Sequence, residues 1–224
     1  MNNLSVILML FAPYAVMLLL TVMLNKKKPG IALYNNLQPE NLGLLNYLHA
    51  GCIMIMLLPA LVMQHAPVFL LEFPDRISLQ QAFSFLVFFG VIGLFPWKKF
   101  ENKFPGIEKA SCLTSPDVIA YSFLRIIFLA VYEWFFRGLM LTEFTTWLGM
   151  TGGIVINILL YALIHSHKDK KEILGSVPLG MVLCVFTLWW HSIWPAVIFH
   201  LEIAFINESP VLQKFISPKK QAAL

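Results

Sequence analysis

The chain has 224 residues, 58% of them hydrophobic and 12% charged, with a mean hydropathy of +0.74. A soluble domain carries about 25% charged residues, so this composition excludes an ordinary soluble enzyme and indicates a polytopic membrane protein. The formal net charge of +4 does not imply nucleic acid as a partner. The lysines sit in short loops between apolar runs, where they report membrane topology.

Apolar runs of about 20 residues are long enough to span a bilayer. They predict an all-α, polytopic transmembrane bundle of about seven helices, near 4–24, 42–63, 79–96, 117–148, 151–166, 173–190 and 194–212. The first run lacks a basic n-region and an A-x-A-like cleavage site, so it reads as a retained helix and not a signal peptide. Pro, Gly, Lys or Asn occupies the breaks, as at helix ends generally. The fourth run is the longest and at 1.5 Å per residue extends roughly 48 Å, so it must tilt or project from the membrane. Cys52, Cys112 and Cys184 are widely spaced, form no C-x-x-C pattern, and read as small apolar packing residues.

All thirteen lysines fall in four clusters: Lys26, Lys27 and Lys28; Lys98, Lys99, Lys103 and Lys109; Lys168, Lys170 and Lys171; Lys214, Lys219 and Lys220. With seven spans these clusters occupy one side of the bilayer, and Arg76 alone lies opposite. The positive-inside rule then places the N-terminus outside and the C-terminus in the cytoplasm of a cell (inner) membrane protein. The expected organisation is 1–114 as N-terminal transmembrane helices with a cytoplasmic loop, 115–210 as the core, and 211–224 as a cytoplasmic tail.

Chemistry concentrates in the core. In Tyr132-Glu133-Trp134-Phe135-Phe136-Arg137 a glutamate and an arginine stand four residues apart, on one face of a helix. Charges within a membrane-spanning helix are costly, and such residues are functional candidates by default. The plainer alternative is a neutralised ion pair that only fixes packing. His165 ends the fifth run, four residues after Tyr161, and His200 and Glu202 lie in the seventh. His167 and His191 read as interfacial, and Glu143 and Glu208 as solvated near helix ends. His49 and His65 have no partner identifiable from sequence. An acid, an arginine and two histidines on three apolar helices could enclose a polar cavity for catalysis, transport or ion binding.

The same segments resemble the CPBP family, which includes type II CAAX prenyl endopeptidases and bacterial abortive-infection and bacteriocin-immunity proteins. That family's pattern is Glu-Glu-x-x-x-Arg, then Phe-x-x-x-His, then His-x-x-x-Asn, on successive helices. Here the motifs read Tyr132-Glu133-x-x-x-Arg137, Tyr161-x-x-x-His165 and His200-x-x-x-Ala204, with Gly138, Gly180 and Ser192-Ile-Trp-Pro at the customary places. The resemblance implies an intramembrane endopeptidase acting on a membrane-embedded or lipidated peptide in the lipid bilayer. It implies that the first glutamate and the second-motif histidine activate water, while the third-motif histidine and asparagine stabilise the oxyanion. His165 and His200 are therefore the candidate catalytic residues that survive, with Glu133 as a candidate acid and Arg137, Tyr132 and Tyr161 in support.

Two positions depart from the pattern. Tyr132 replaces the water-activating acid and Ala204 the oxyanion amide. Glu133 is one residue further on and points about 100° around the helix, so it reaches the site only if the helix rotates or a local bulge re-aims it. Asn207 lies too far along the seventh helix to replace Ala204, and Glu202 would repel an oxyanion. Losing a general base lowers rates about 10²–10⁴-fold, and losing one oxyanion donor about 10²–10³-fold. Depth poses a further demand, since His165 lies toward the cytoplasmic side and His200 near the outer end of its helix. A tilted sixth helix or a turn dipping at Trp194-Pro195 would bring them together.

Three readings stay open at this level: an impaired or re-tasked endopeptidase, a non-catalytic pseudoprotease that binds a membrane peptide as scaffold or immunity factor, and a small transporter or metal-handling protein. Two histidines and a carboxylate suit Zn²⁺, but no His-Glu-x-x-His motif is present, so no cofactor is expected. Nor is there the pair of interrupted helices typical of inverted-repeat transporters.

Overall fold

A computed structural model describes residues 3–27, 42–63, 71–94, 115–166 and 170–216. His65, His167, Cys112 and the lysines Lys28, Lys98, Lys99, Lys103, Lys109, Lys168, Lys219 and Lys220 lie outside the described residues.

The described regular elements are all helical, as the apolar runs require. They are α1 (Asn3–Lys27), α2 (Leu42–Val62), α3 (Leu79–Leu94), α4 (Ser115–Glu133), a π-helical segment (Trp134–Met140), α5 (Leu141–Ile164), α6 (Lys170–Trp190) and α7 (Trp194–Ile216). Four stretches are long and apolar enough to cross a membrane: Ser5–Met23, Leu42–Leu61, Pro116–Ile164 and Ile173–Trp190, while α3 is a shorter apolar helix. The start of α3 is set by a reciprocal capping box. Ser78 N–H donates to Gln81 Oε1 at 2.9 Å, and Gln81 N–H to Ser78 Oγ at 3.2 Å.

The long Pro116–Ile164 stretch is not one rod. Gly149 has φ 72° and ψ 170°, a region open essentially to glycine alone. It falls where the sequence predicts the fourth helix to end and the fifth to begin. The two arms of α5 meet closely at this break, because a Cβ on Gly153 would stand 2.5 Å from the Thr145 backbone nitrogen. Backbone cannot yield as a flexible side chain does, so glycine is required at both positions.

Packing places α4 against α2 and α7, α5 against α6, α6 against α7, and α3 at the edge on α7. Every residue of the π-helical segment is buried. Around it Phe135, Phe136, Leu139 and Met140 join Tyr14 and Met17 of α1, Met56 of α2 and Tyr161 of α5 in one apolar cluster. Tyr14 ties α1 to the far arm of α5 by donating to the Leu160 carbonyl at 2.9 Å. The outer surface is apolar too, including Leu61, Leu79 and Leu94, and α3 buries none of its residues. Such a surface suits acyl chains, and the protein is an integral membrane protein with its polar residues turned inward.

Gly153→Ala is expected to destabilise the protein by about 1–3 kcal/mol through overpacking, and Gly149→Ala by a similar amount through backbone strain. Melting in detergent checks this, and two variants that melt like the native chain would show that the arms are not in backbone contact.

Candidate functional site

The carboxylate that the site turns on sits at a change of helical register. Glu133 is the last α-helical residue of α4, with φ −67° and ψ −38°, and the π-helical segment starts at the next residue. A π turn is a rare local widening, frequent at functional sites. Here it closes with Leu141 N–H bonding to the Phe136 carbonyl. Asn157 of α5 donates its Nδ2 to the same carbonyl at 2.7 Å, and its Oδ1 accepts from the Cys184 thiol of α6 at 3.2 Å. Cys184 is therefore more than an apolar filler. Asn157 carries no motif that singles it out, and only its isolation in an apolar run marked it.

Glu133 does reach the site. Its Oε1 lies 2.5 Å from Nδ1 of His200 on α7, and its Oε2 lies 3.4 Å from Nε of Arg137. Glu133 and Arg137 are both fully buried, while the His200 side chain keeps 10% exposure. The carboxylate is thus shared between a cation one turn on and an imidazole across the helix interface. The Arg137 guanidinium also lies over the ring of Tyr161, 4.3 Å from its centroid, and 5.8 Å from that of Phe136.

Tyr132 joins the same group. Its ring stands edge-on to His200 at 5.6 Å, packs on Phe136 at 4.5 Å and meets Tyr161 at 6.3 Å. His165 enters through Tyr161, whose ring lies 4.6 Å from its own, and its Nδ1 lies 2.7 Å from the Tyr161 carbonyl. Since a carbonyl can only accept, that nitrogen donates. Helix α6 closes the far side at Gly180, where a Cβ would stand 3.1 Å from Cδ1 of Tyr161 and 3.7 Å from Nη2 of Arg137. The six candidate residues, from α4, the π-helical segment, the end of α5 and α7, thus form one connected group, with Tyr161 standing between His165 and the Glu133–His200 pair. Ala204 is buried in the adjoining apolar cluster. Asn207 Nδ2 donates to its own helix at Ile203 O, 2.8 Å away, so that donor is already committed. Glu202 turns toward α3, 3.0 Å from where a Cβ on Gly93 would stand.

A second buried polar group was misjudged from sequence. Glu208 is not solvated: it is 5% exposed and pairs with Arg125, Nε to Oε1 at 3.0 Å and Nη2 to Oε1 at 2.9 Å. Tyr121 donates its hydroxyl to Glu208 Oε2 at 3.0 Å. His49 has a partner after all, with Nε2 at 3.4 Å from Arg125 Nη1 and its ring 4.7 Å from Phe128. An arginine offers no acceptor, so His49 Nε2 accepts and the ring is neutral. The signal lay in the spacing Tyr121, Arg125, Glu133 on α4 and His200, Glu208 on α7.

With this geometry described, the motifs can be compared with known proteins. Residues 115–206 match the family model of type II CAAX prenyl endopeptidase Rce1-like proteins. The matched span runs from the first turn of α4 into α7. It holds all six candidate residues and agrees with the resemblance carried by their motifs. No curated protein and no solved structure matches the chain. Among the described residues no group of three or more His, Cys, Asp or Glu side chains is placed to hold a metal ion.

Removing one member of a buried ion pair strands the other and destabilises by about 3–5 kcal/mol, whereas replacing both with apolar residues is often neutral. Arg137→Ala and Glu208→Ala are therefore expected to lower folded yield and melting temperature. The double variant Arg125→Met/Glu208→Met should recover most of the loss seen in Glu208→Ala, and melting curves in detergent distinguish these outcomes.

Proposed function

We propose that this protein is an intramembrane CAAX-protease-like hydrolase that takes a membrane-embedded or lipidated peptide at the Glu133–His200 site and cleaves it slowly. The observation that carries this reading is the engagement of Glu133. Its Oε1 is held by His200 and its Oε2 lies beside Arg137 without a hydrogen bond among the described residues, both at zero exposure, so burial keeps it from meeting water. The acid that the family places one residue earlier is Tyr132. A hydrolase of this kind keeps the helix frame, the arginine and both histidines while lacking the glutamate-activated water of its relatives.

Supporting the peptide as substrate class are the Rce1-like match and the apolar surround of the site, which suits a hydrophobic segment arriving from the bilayer. The seven-span topology, with N-terminus outside and C-terminus in the cytoplasm of an inner membrane, belongs to the same reading. Residues 115–210 form the hydrolase core in it, and 1–114 supply flanking membrane helices. No metal is assigned to the reaction, and nucleic acid is not a partner.

One observation favours a second reading. The rings of Tyr132, Phe136 and Tyr161 pack together where the acid would act, as in a pseudoprotease that holds its peptide without cutting it. A single experiment separates the two. Purified protein in proteoliposomes is given a prenylated peptide and an unmodified transmembrane peptide, and cleavage is followed by mass spectrometry. Native protein should cleave slowly, and Tyr132→Glu/Ala204→Asn should cleave at least about 10²-fold faster, the contribution of one restored catalytic group. Binding without cleavage by the native chain, with gain in the double variant, selects the pseudoprotease. No binding and no gain in a folded double variant would reject both.

A further inference from the structure

Hydrolysis at this site needs a group that takes a proton from water, and the carboxylate is fully buried with one oxygen bound to His200. We infer that His200 is the general base, with Glu133 as its positioning residue and the Tyr132 hydroxyl as donor to the developing oxyanion. The inference rests on the hydrolase reading above.

The inference sets the protonation state at this contact. An ionised carboxylate only accepts, so in the 2.5 Å contact Nδ1 of His200 carries the hydrogen and Glu133 Oε1 receives it. A neutral imidazole has one N–H, which leaves the lone pair on Nε2. The side chain with residual exposure is His200, at 10% against 0% for Glu133, so the edge that meets a substrate is imidazole and not carboxylate. A carboxylate on Nδ1 fixes tautomer and ring orientation and steadies the imidazolium that forms during proton transfer. Arg137 at the other oxygen of Glu133 holds that carboxylate in place.

Tyr132 supplies the second half. Its ring is perpendicular to the imidazole, at 84° and 5.6 Å between centroids. Its hydroxyl is buried with no protein partner among the described residues. A buried hydroxyl without a partner is unfavourable, and a phenol donates readily to an oxygen gaining negative charge. The third-motif position that would otherwise offer an amide donor is Ala204, which has none.

The chemistry closes on these groups. His200 Nε2 takes a proton from water as the water oxygen bonds to the peptide carbonyl carbon. The carbonyl π pair moves to oxygen, which accepts the Tyr132 O–H hydrogen bond. Collapse of the tetrahedral centre breaks the C–N bond, and the departing nitrogen takes the proton from Nε2. Water is added across one peptide bond, giving an acid and an amine, and His200 returns to its starting state.

Two measurements test the roles. Steady-state cleavage in proteoliposomes should show His200→Gln and Glu133→Gln each lowering kcat about 10²–10⁴-fold, and Tyr132→Phe about 10²–10³-fold, with KM within about twofold of native. Nitrogen-15 NMR of histidine-labelled protein should show His200 protonated on Nδ1, with the Nε2-protonated form appearing in Glu133→Gln, a change that a purely structural glutamate would not produce. Native cleavage that survives His200→Gln, or a His200 protonated on Nε2 in the native chain, overturns the assignment and leaves the hydrolase reading intact. A folded native protein that binds peptide but never cleaves it, beside an active Tyr132→Glu/Ala204→Asn variant, overturns the role of His200 and the slow hydrolysis together and leaves peptide binding. No binding and no cleavage by either overturns the whole site.

Discussion

The register between α4 and α7 is the constraint on which the rest depends. Two buried polar contacts set it, the hydrogen bond between Glu133 and His200 and the ion pair of Arg125 with Glu208. Glu133 and Arg125 are eight residues apart on α4, and His200 and Glu208 are eight apart on α7, about 12 Å at the α-helical rise. Increasing number on one helix meets decreasing number on the other, so the helices run antiparallel. Leu129 and Ala204 fall midway between the contacts, buried in the same apolar cluster. Inside a membrane an unmatched charge is costly, and a slide of one turn would unmatch both pairs at once. The distant contact therefore bears on where the imidazole stands.

Much of this was legible in the chain. Apolar runs located the helices to within a few residues, and Gly149 ended the fourth where composition said it should. The three motifs named the residues that the fold gathers. Glu133 was harder, because an ideal 3.6-residue period points it away from the place of the residue before it. The rare π-helical segment that follows leaves no composition signature, and Asn157, which holds its carbonyl, lies on another helix. Glu208 and His49 went astray for a related reason. Their partners sit on other helices, and a single sequence records spacing along a helix but not which face meets which.

Balance of buried charge explains why Tyr132 fits where an acid would be expected. Glu133 is matched by Arg137 and Glu208 by Arg125, and His49 is neutral. A second carboxylate at position 132 would lie against the same arginine, with no further cation at hand among the described residues, beside the rings of Phe136, Tyr161 and Phe128. Tyrosine keeps a polar atom at that point without adding charge, and its ring completes the aromatic packing. In the proposed hydrolase, tyrosine at this position gives up an ordinary base and avoids a buried like-charge pair with Glu133.

That trade has a consequence for how the site works. With two adjacent glutamates, one can be tied to structure while the other meets water. With one, the structural duty comes first, since Glu133 anchors both Arg137 and the α4–α7 register. In the mechanism inferred above, reactivity then passes to the group that Glu133 orients, the imidazole of His200, whose side chain keeps 10% exposure. A carboxylate too buried to touch substrate can still govern chemistry by holding the tautomer of its neighbour. In that mechanism the proton-accepting atom lies on α7 and not on α4, oriented by the Glu133–His200 contact between the two helices.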